Sequence, residues 1–182
     1  MCASKKNEKQ SVKGADTHHI VSSEHLASQQ GGELSELEYG LIMAYNAFSR
    51  WMERCMAAVG FSDFKPLDIL VLHNVNHRNR EKRLVDIAFV LNIEDHHTVN
   101  YALKKLIKAK LVTSAKRGKE MFYSTTDEGH NVCVEYRKVR DLCLIEPALA
   151  TGQDFSELSK SATVLRSASG LYGQASRSAA SL

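Results

Sequence analysis

Between His96 and Lys110 the chain carries residue types that could read a nucleic acid duplex. At a 3.6-residue period Val99, Ala102, Leu103 and Leu106 fall on one face, and Thr98, Asn100, Tyr101, Lys104 and Lys105 fall on the other, with His97 at the start. The first face packs. The second offers a side-chain amide suited to an adenine edge at Asn100, ammonium groups suited to phosphate at Lys104 and Lys105, and a hydroxyl at Thr98 beside the positive end of the helix dipole. Taken alone, the lysine pair would describe a solvated helix face. His73, His77, His96, His97 and the cysteines offer a rival, enzymatic chemistry, but they gather no acid, base and oxyanion donor into a recognisable arrangement. His73 and His77 stand at i, i+4, a spacing that could put two imidazoles on one metal, with no acidic or thiol partner near in sequence.

The elements that must position this face are legible around it. Val85 to Leu91 reads as a short apolar helix, Asn92-Ile93-Glu94 as a turn, and Asp95 as the cap of the next helix. Leu111–Ala115 and Met121–Thr125 have strand content, joined by Lys116-Arg117-Gly118-Lys119-Glu120, where Gly118 supplies the positive φ of a hairpin and Arg117 and Lys119 project at its tip. The order helix, turn, helix, hairpin outlines a winged helix-turn-helix.

Charge is distributed to match. From His77 to Lys119 eleven Lys and Arg stand against four acids, a net of +7, while the other 13 cations and 17 acids leave the rest of the chain at −4. A basic middle between acidic flanks is the footprint of a polyanion-binding surface. A helical interaction module presenting that basic face to an acidic protein would share it.

At 182 residues and 43% apolar content the chain can bury a real core. The longest apolar stretch, Ile69–Leu72, is far too short to span a bilayer and no signal peptide precedes it, so a cytoplasmic protein is expected. Cys2, Cys55, Cys133 and Cys143 show no C-x-x-C spacing, so free thiols are expected, with no metal and no cofactor.

Residues 1–33 are polar and read as a flexible segment, with a short docked helix at Ile20–Ala27. Ser35-x-x-Glu38 matches a capping box and starts a long helix in which Leu37, Leu41, Tyr45, Phe48, Met52, Cys55 and Val59 recur at spacings of three or four, with Gly60 as its stop. Ile42, Ala44 and Trp51 widen its apolar face, which implies cover on more than one side. Pro66 suits the first turn of another helix, and His77–Arg83 reads as a loop. Thr126 caps a helix that Pro147 ends, and Phe155, Leu158, Ala162, Leu165, Ser169 and Tyr172 form a coiled-coil-like seam. The expected organisation is a flexible 1–33, a dimerisation helix 34–60, a DNA-binding domain 61–126, dimerisation helices 127–175 and a tail 176–182. The fold class is mainly α with a small β-hairpin wing.

Over Leu84–Gly129 the residues Ile87-Ala88, Thr98-Val99, Leu103, Leu106, Leu111-Val112 and Thr126-Asp127-Glu128-Gly129 resemble the motif of the MarR family of bacterial transcription regulators. The LdtR-type branch of that family is similar across Tyr39–Leu106. Two departures stand out: Lys110 where the family often has Gly, and no Asp-x-Arg in the wing. The resemblance implies a homodimeric regulator on a palindromic double-stranded operator, read by His97, Thr98, Asn100, Tyr101, Lys104 and Lys105, with Arg117 and Lys119 as the wing's cations. It also implies a small aromatic or amphipathic effector. Trp51, Met52, Cys55, Met56, Phe61, Phe64 and Leu67 are the candidates for its pocket, or else plain core. Cys55 within that stripe raises a second input, oxidation.

Overall fold

The computed structural model describes residues 31–182. The expected docked helix at Ile20–Ala27 and nearly all of the flexible segment lie outside them. The chain divides into two compact units whose boundary falls after Arg50, inside α1 (Gly32–Ala58). The helix begins three residues before Ser35, whose N–H already donates to the Gly31 carbonyl at 3.1 Å, so the capping-box residues are helical rather than the start. Residues 42–48 are all exposed, Ile42, Met43, Tyr45 and Phe48 among them.

The second unit holds α2 (Pro66–Asn76), β1 (Lys82–Arg83), α3 (Leu84–Val90), α4 (His96–Lys108), β2 (Val112–Arg117), β3 (Glu120–Thr125), α5 (Asp127–Arg140), α6 (Glu146–Ala150) and α7 (Leu158–Ala179). Pro66 opens α2 as expected, and the Asp68 carboxylate accepts the Lys65 N–H at 2.9 Å. The three strands are antiparallel in the order β1-β3-β2. The hairpin is tighter than the sequence suggests: Arg117 pairs with Glu120, leaving Gly118-Lys119 as a two-residue turn with Gly118 at φ 61°. The third strand was not expected. Lys82 and Arg83, read as loop, pair with Tyr123 and Phe122.

Met56, Ile69, Leu72, Val75, Ile87, Val99, Leu103, Leu106 and Leu111 form the fully buried centre, drawn from α1, α2, α3, α4 and the approach to β2. Burying such side chains stabilises by about 1.5–3 kcal/mol each, which fixes the two helices of the motif against α2. Lys110 takes the left-handed conformation, φ 61°, at the end of α4, where glycine would be unstrained. Thr126 caps α5 by accepting the Gly129 N–H at 3.0 Å, and its hydroxyl donates to the Lys110 carbonyl at 2.7 Å, so one side chain closes one helix and opens the next.

Pro147 does not end the helix that follows. The chain widens into a π-helical turn at Asp141–Ile145 and continues as α6, with Pro147 its second residue. A ring with no N–H, clashing with the carbonyl four residues back, accounts for that widening. The last helix runs to Ala179, beyond the expected limit at 175, and leaves Leu158, Val164, Leu165 and Leu171 exposed.

Candidate nucleic-acid interface

The second helix of the motif starts where the sequence places it: Asp95 accepts the His97 N–H at 2.9 Å. Besides His96 at its first position, its exposed residues are His97, Tyr101, Lys104 and Lys108, which share a face at spacings of four, three and four. Tyr101 is 71% exposed, with the Lys104 ammonium 5.9 Å from its ring centre. An aromatic ring left in water beside a cation is suited to a partner carrying phosphates and bases. Asn100 is half-buried at the edge of the face, and the Thr98 hydroxyl donates to the Asp95 carbonyl at 2.7 Å. Lys108 was overlooked, although the same period that selects Tyr101 and Lys104 reaches it.

Lys105 is turned elsewhere. Its ammonium lies 2.6 Å from the Asp68 carboxylate and 2.6 Å from the Asp63 carbonyl, and 4.9 Å from the centre of the Phe64 ring. Its place on the polar face of the helix is thus corrected to the flank that packs on the start of α2. The acid that claims it is 37 residues away, beyond the reach of a helical-wheel argument.

At the wing, Lys116 and Lys119 are exposed, while Arg117 is engaged. Its Nη2 lies 2.8 Å from the Glu81 carboxylate and its guanidinium carbon 5.5 Å from the Phe122 ring centre. Arg83 reaches Glu120 at 2.8 Å and Asp86 at 2.9 Å. These contacts hold the Arg83 guanidinium firmly protonated and the Asp86 carboxyl below its ordinary range.

Of the residues expected to line an effector pocket, Met52, Cys55 and Met56 are core, each no more than 2% exposed. Trp51 and Leu67 pack against that core, and neither lines the cleft that opens beside Phe61 and Phe64. That cleft, about 370 Å³, is bounded by Asp63, Lys105 and Lys108 as well as the two rings, which are tilted at 41° with centres 5.6 Å apart. The Cys55 thiol sits against Tyr136, and burial pushes its pKa up; burial likewise raises Cys133 to about 11 and Tyr136 to about 12. A buried, protonated thiol is a poor nucleophile toward oxidants. His73 is packed edge-on against Tyr136 at 4.6 Å, and burial with Arg137 nearby lowers its pKa. No group of three or more His, Cys, Asp or Glu among the described residues is placed to hold a metal, and none of their helices is long and apolar enough to cross a membrane.

Residues 64–129, from the end of the cleft to the first turn of α5, match a family model described as a winged helix DNA-binding domain. That stretch runs from just before α2 through the wing, so the match is to a winged helix module within the chain. Around that module its fold is shared with MarR regulators. A cysteine-to-serine mutant of MarR from E. coli, complexed with operator DNA, superposes with a TM-score of 0.61 at 15% identity, over 78% of this chain and 99% of that one. Reduced AbfR bound to DNA gives 0.64 at 17%, over 77% and 94%. NadR in complex with 4-hydroxyphenylacetate gives 0.56 at 18%, over 73% and 92%. No curated protein matches the chain in sequence.

Proposed function

We propose that the protein is a MarR-type transcription regulator that binds a palindromic operator as a homodimer. The observation that carries this is the exposed His97, Tyr101, Lys104 and Lys108 face on a capped second helix, beside a wing bearing Lys116, Arg117 and Lys119. Such a helix enters the major groove while the wing meets the flanking backbone. His97, Tyr101 and the edge residue Asn100 are assigned to base edges, Lys104 and Lys108 to phosphates. Lys105 is withdrawn from that set, and Thr98 is left with the helix start. The bare apolar residues of α1 (Ile42, Met43, Tyr45, Phe48) and of α7 (Val164, Leu165, Leu171) support a second copy as their cover.

The two lysines on adjacent positions test the assignment. Lys104→Gln should reduce the salt dependence of DNA binding by about 0.9 unit of log–log slope, one released phosphate contact, with no change in melting. Lys105→Gln should leave the slope unchanged and lower stability by about 1–3 kcal/mol, because Asp68 loses its ammonium partner. Titrations at four or five salt concentrations with parallel denaturant melts separate the two. The reverse assignment would place the wrong flank of α4 against DNA.

The cleft supports an effector that is both aromatic and anionic, since two rings and the ammonium groups of Lys105 and Lys108 line it. A carboxylate arriving there competes with Asp68 for Lys105, which ties α4 to the start of α2. A ligand that acts this way binds more weakly when operator is present, by the same factor by which it weakens operator binding. Calorimetry with 4-hydroxyphenylacetate and salicylate, with and without operator, measures that factor; equal affinities would make the cleft irrelevant to regulation.

A further inference from the structure

Glu81 is an acid inside the most basic stretch of the chain, immediately ahead of β1. Both its carboxylate oxygens lie 2.8 Å from Nη2 of Arg117, at the wing tip. The Arg117 guanidinium also lies over Phe122, so it is held from two sides, yet its side chain remains 64% exposed. Arginine carries five N–H donors, and Glu81 occupies only those on one terminal nitrogen. The acid itself is well anchored. Its neighbour Lys82 is 8% exposed, with its ammonium donating to the carbonyls of Asn74, Val75 and His77 at the end of α2, and it pairs with Tyr123 in the sheet. On the other side of Lys82, Arg83 bonds Glu120, the cross-strand partner of Arg117. Residues 81–83 thus strap the wing tip twice and the end of α2 once.

Exposed ion pairs contribute about 0–1 kcal/mol to stability, so the Glu81–Arg117 pair is not explained as a stabiliser. What it does is confine a long, rotamer-rich side chain to one direction before a partner arrives, which removes an ordering cost from binding. We infer that Glu81 is a positioning residue for DNA recognition, aiming the wing's Arg117 so that its unoccupied N–H groups meet a correctly seated duplex. This rests on the DNA-binding reading and assigns Glu81 a role opposite to that of a simple repulsive charge. A negative charge near DNA weakens every complex alike; an orienting partner strengthens only the seated one.

The test is a double-mutant cycle with Glu81→Gln, Arg117→Gln and the pair, each titrated against the selected operator and an unrelated duplex. Glu81→Gln should weaken operator binding about threefold to tenfold, a normal coupling for residues in contact, while tightening the unrelated duplex. With Arg117→Gln already in place, it should tighten both duplexes equally and leave their affinity ratio unchanged. An equal tightening of both duplexes in the parent background, or the same drop in ratio in both backgrounds, overturns the inference. So does a Glu81→Gln protein that fails to fold, since the acid would then be a structural member. A parent that binds neither duplex overturns the DNA-binding reading itself.

Discussion

Gly129→Ala is expected to cost roughly 3 kcal/mol or more of folding stability. A Cβ at position 129 would stand 1.9 Å from the Leu111 carbonyl oxygen and 2.8 Å from its carbonyl carbon. Neither neighbour can yield cheaply. Leu111 is fully buried, its carbonyl accepts the Thr126 N–H at 3.1 Å, and Gly129 itself donates to the Thr126 cap. Moving α5 away would break the junction that joins α4, the wing and α5. For a chain of this length the loss corresponds to a fall in melting temperature of about 10 °C, readable by circular dichroism. Gly40→Ala is the control, because a Cβ there meets nothing within 4 Å and alanine favours a helix; it should melt at or slightly above the parent. A Gly129→Ala protein that melts with the parent would mean that the α4-to-α5 junction is not packed as described.

The largest functional effect is expected from Tyr101→Ala. The ring is 71% exposed, so its removal should change folding stability by no more than about 0.5 kcal/mol. Its position in the middle of the exposed face, between His97 and Lys104, puts it where a major-groove helix meets base edges and the sugar-phosphate rim. Losing a contact of that kind costs about 1–3 kcal/mol, or roughly tenfold to a hundredfold in operator affinity. The loss should fall on the operator more than on unrelated DNA, because the phosphate contacts proposed for Lys104 would remain. Fluorescence anisotropy on both duplexes, alongside a melting curve, gives the comparison. Unchanged operator affinity would remove this face from the reading surface.

The parts of this structure legible in the sequence are those governed by local periodicity and capping. The core positions Val99, Ala102, Leu103 and Leu106, the Asp95 and Thr126 caps, and the Gly118 turn each depend on residues within a few positions. The misses arise where distant residues decide. Lys105 looks solvent-facing on a wheel, but Asp68 and the Asp63 carbonyl draw it to the other flank. Lys82 and Arg83 look like loop because two polar residues carry no alternation, and only β3 makes them a strand. Met52, Cys55 and Met56 have the composition of an adaptable pocket and the burial of a core, a distinction that composition does not contain. The Arg117–Glu81 pair, spanning 36 residues, has no sequence signature of any kind.

The central claim, a dimeric reader of a palindrome through the α4 face and the wing, is tested most directly by selecting bound duplexes from a random DNA pool with the full-length protein. The expected result is enrichment of an inverted repeat with half-site centres about one helical turn, roughly 10–10.5 base pairs, apart or a multiple of it, because two linked modules must face the same side of the duplex. Tyr101→Ala protein should fail to enrich that repeat. Enrichment of a single unrepeated half-site would contradict the dimer, and a pool left unchanged after repeated rounds would contradict sequence-specific DNA binding altogether.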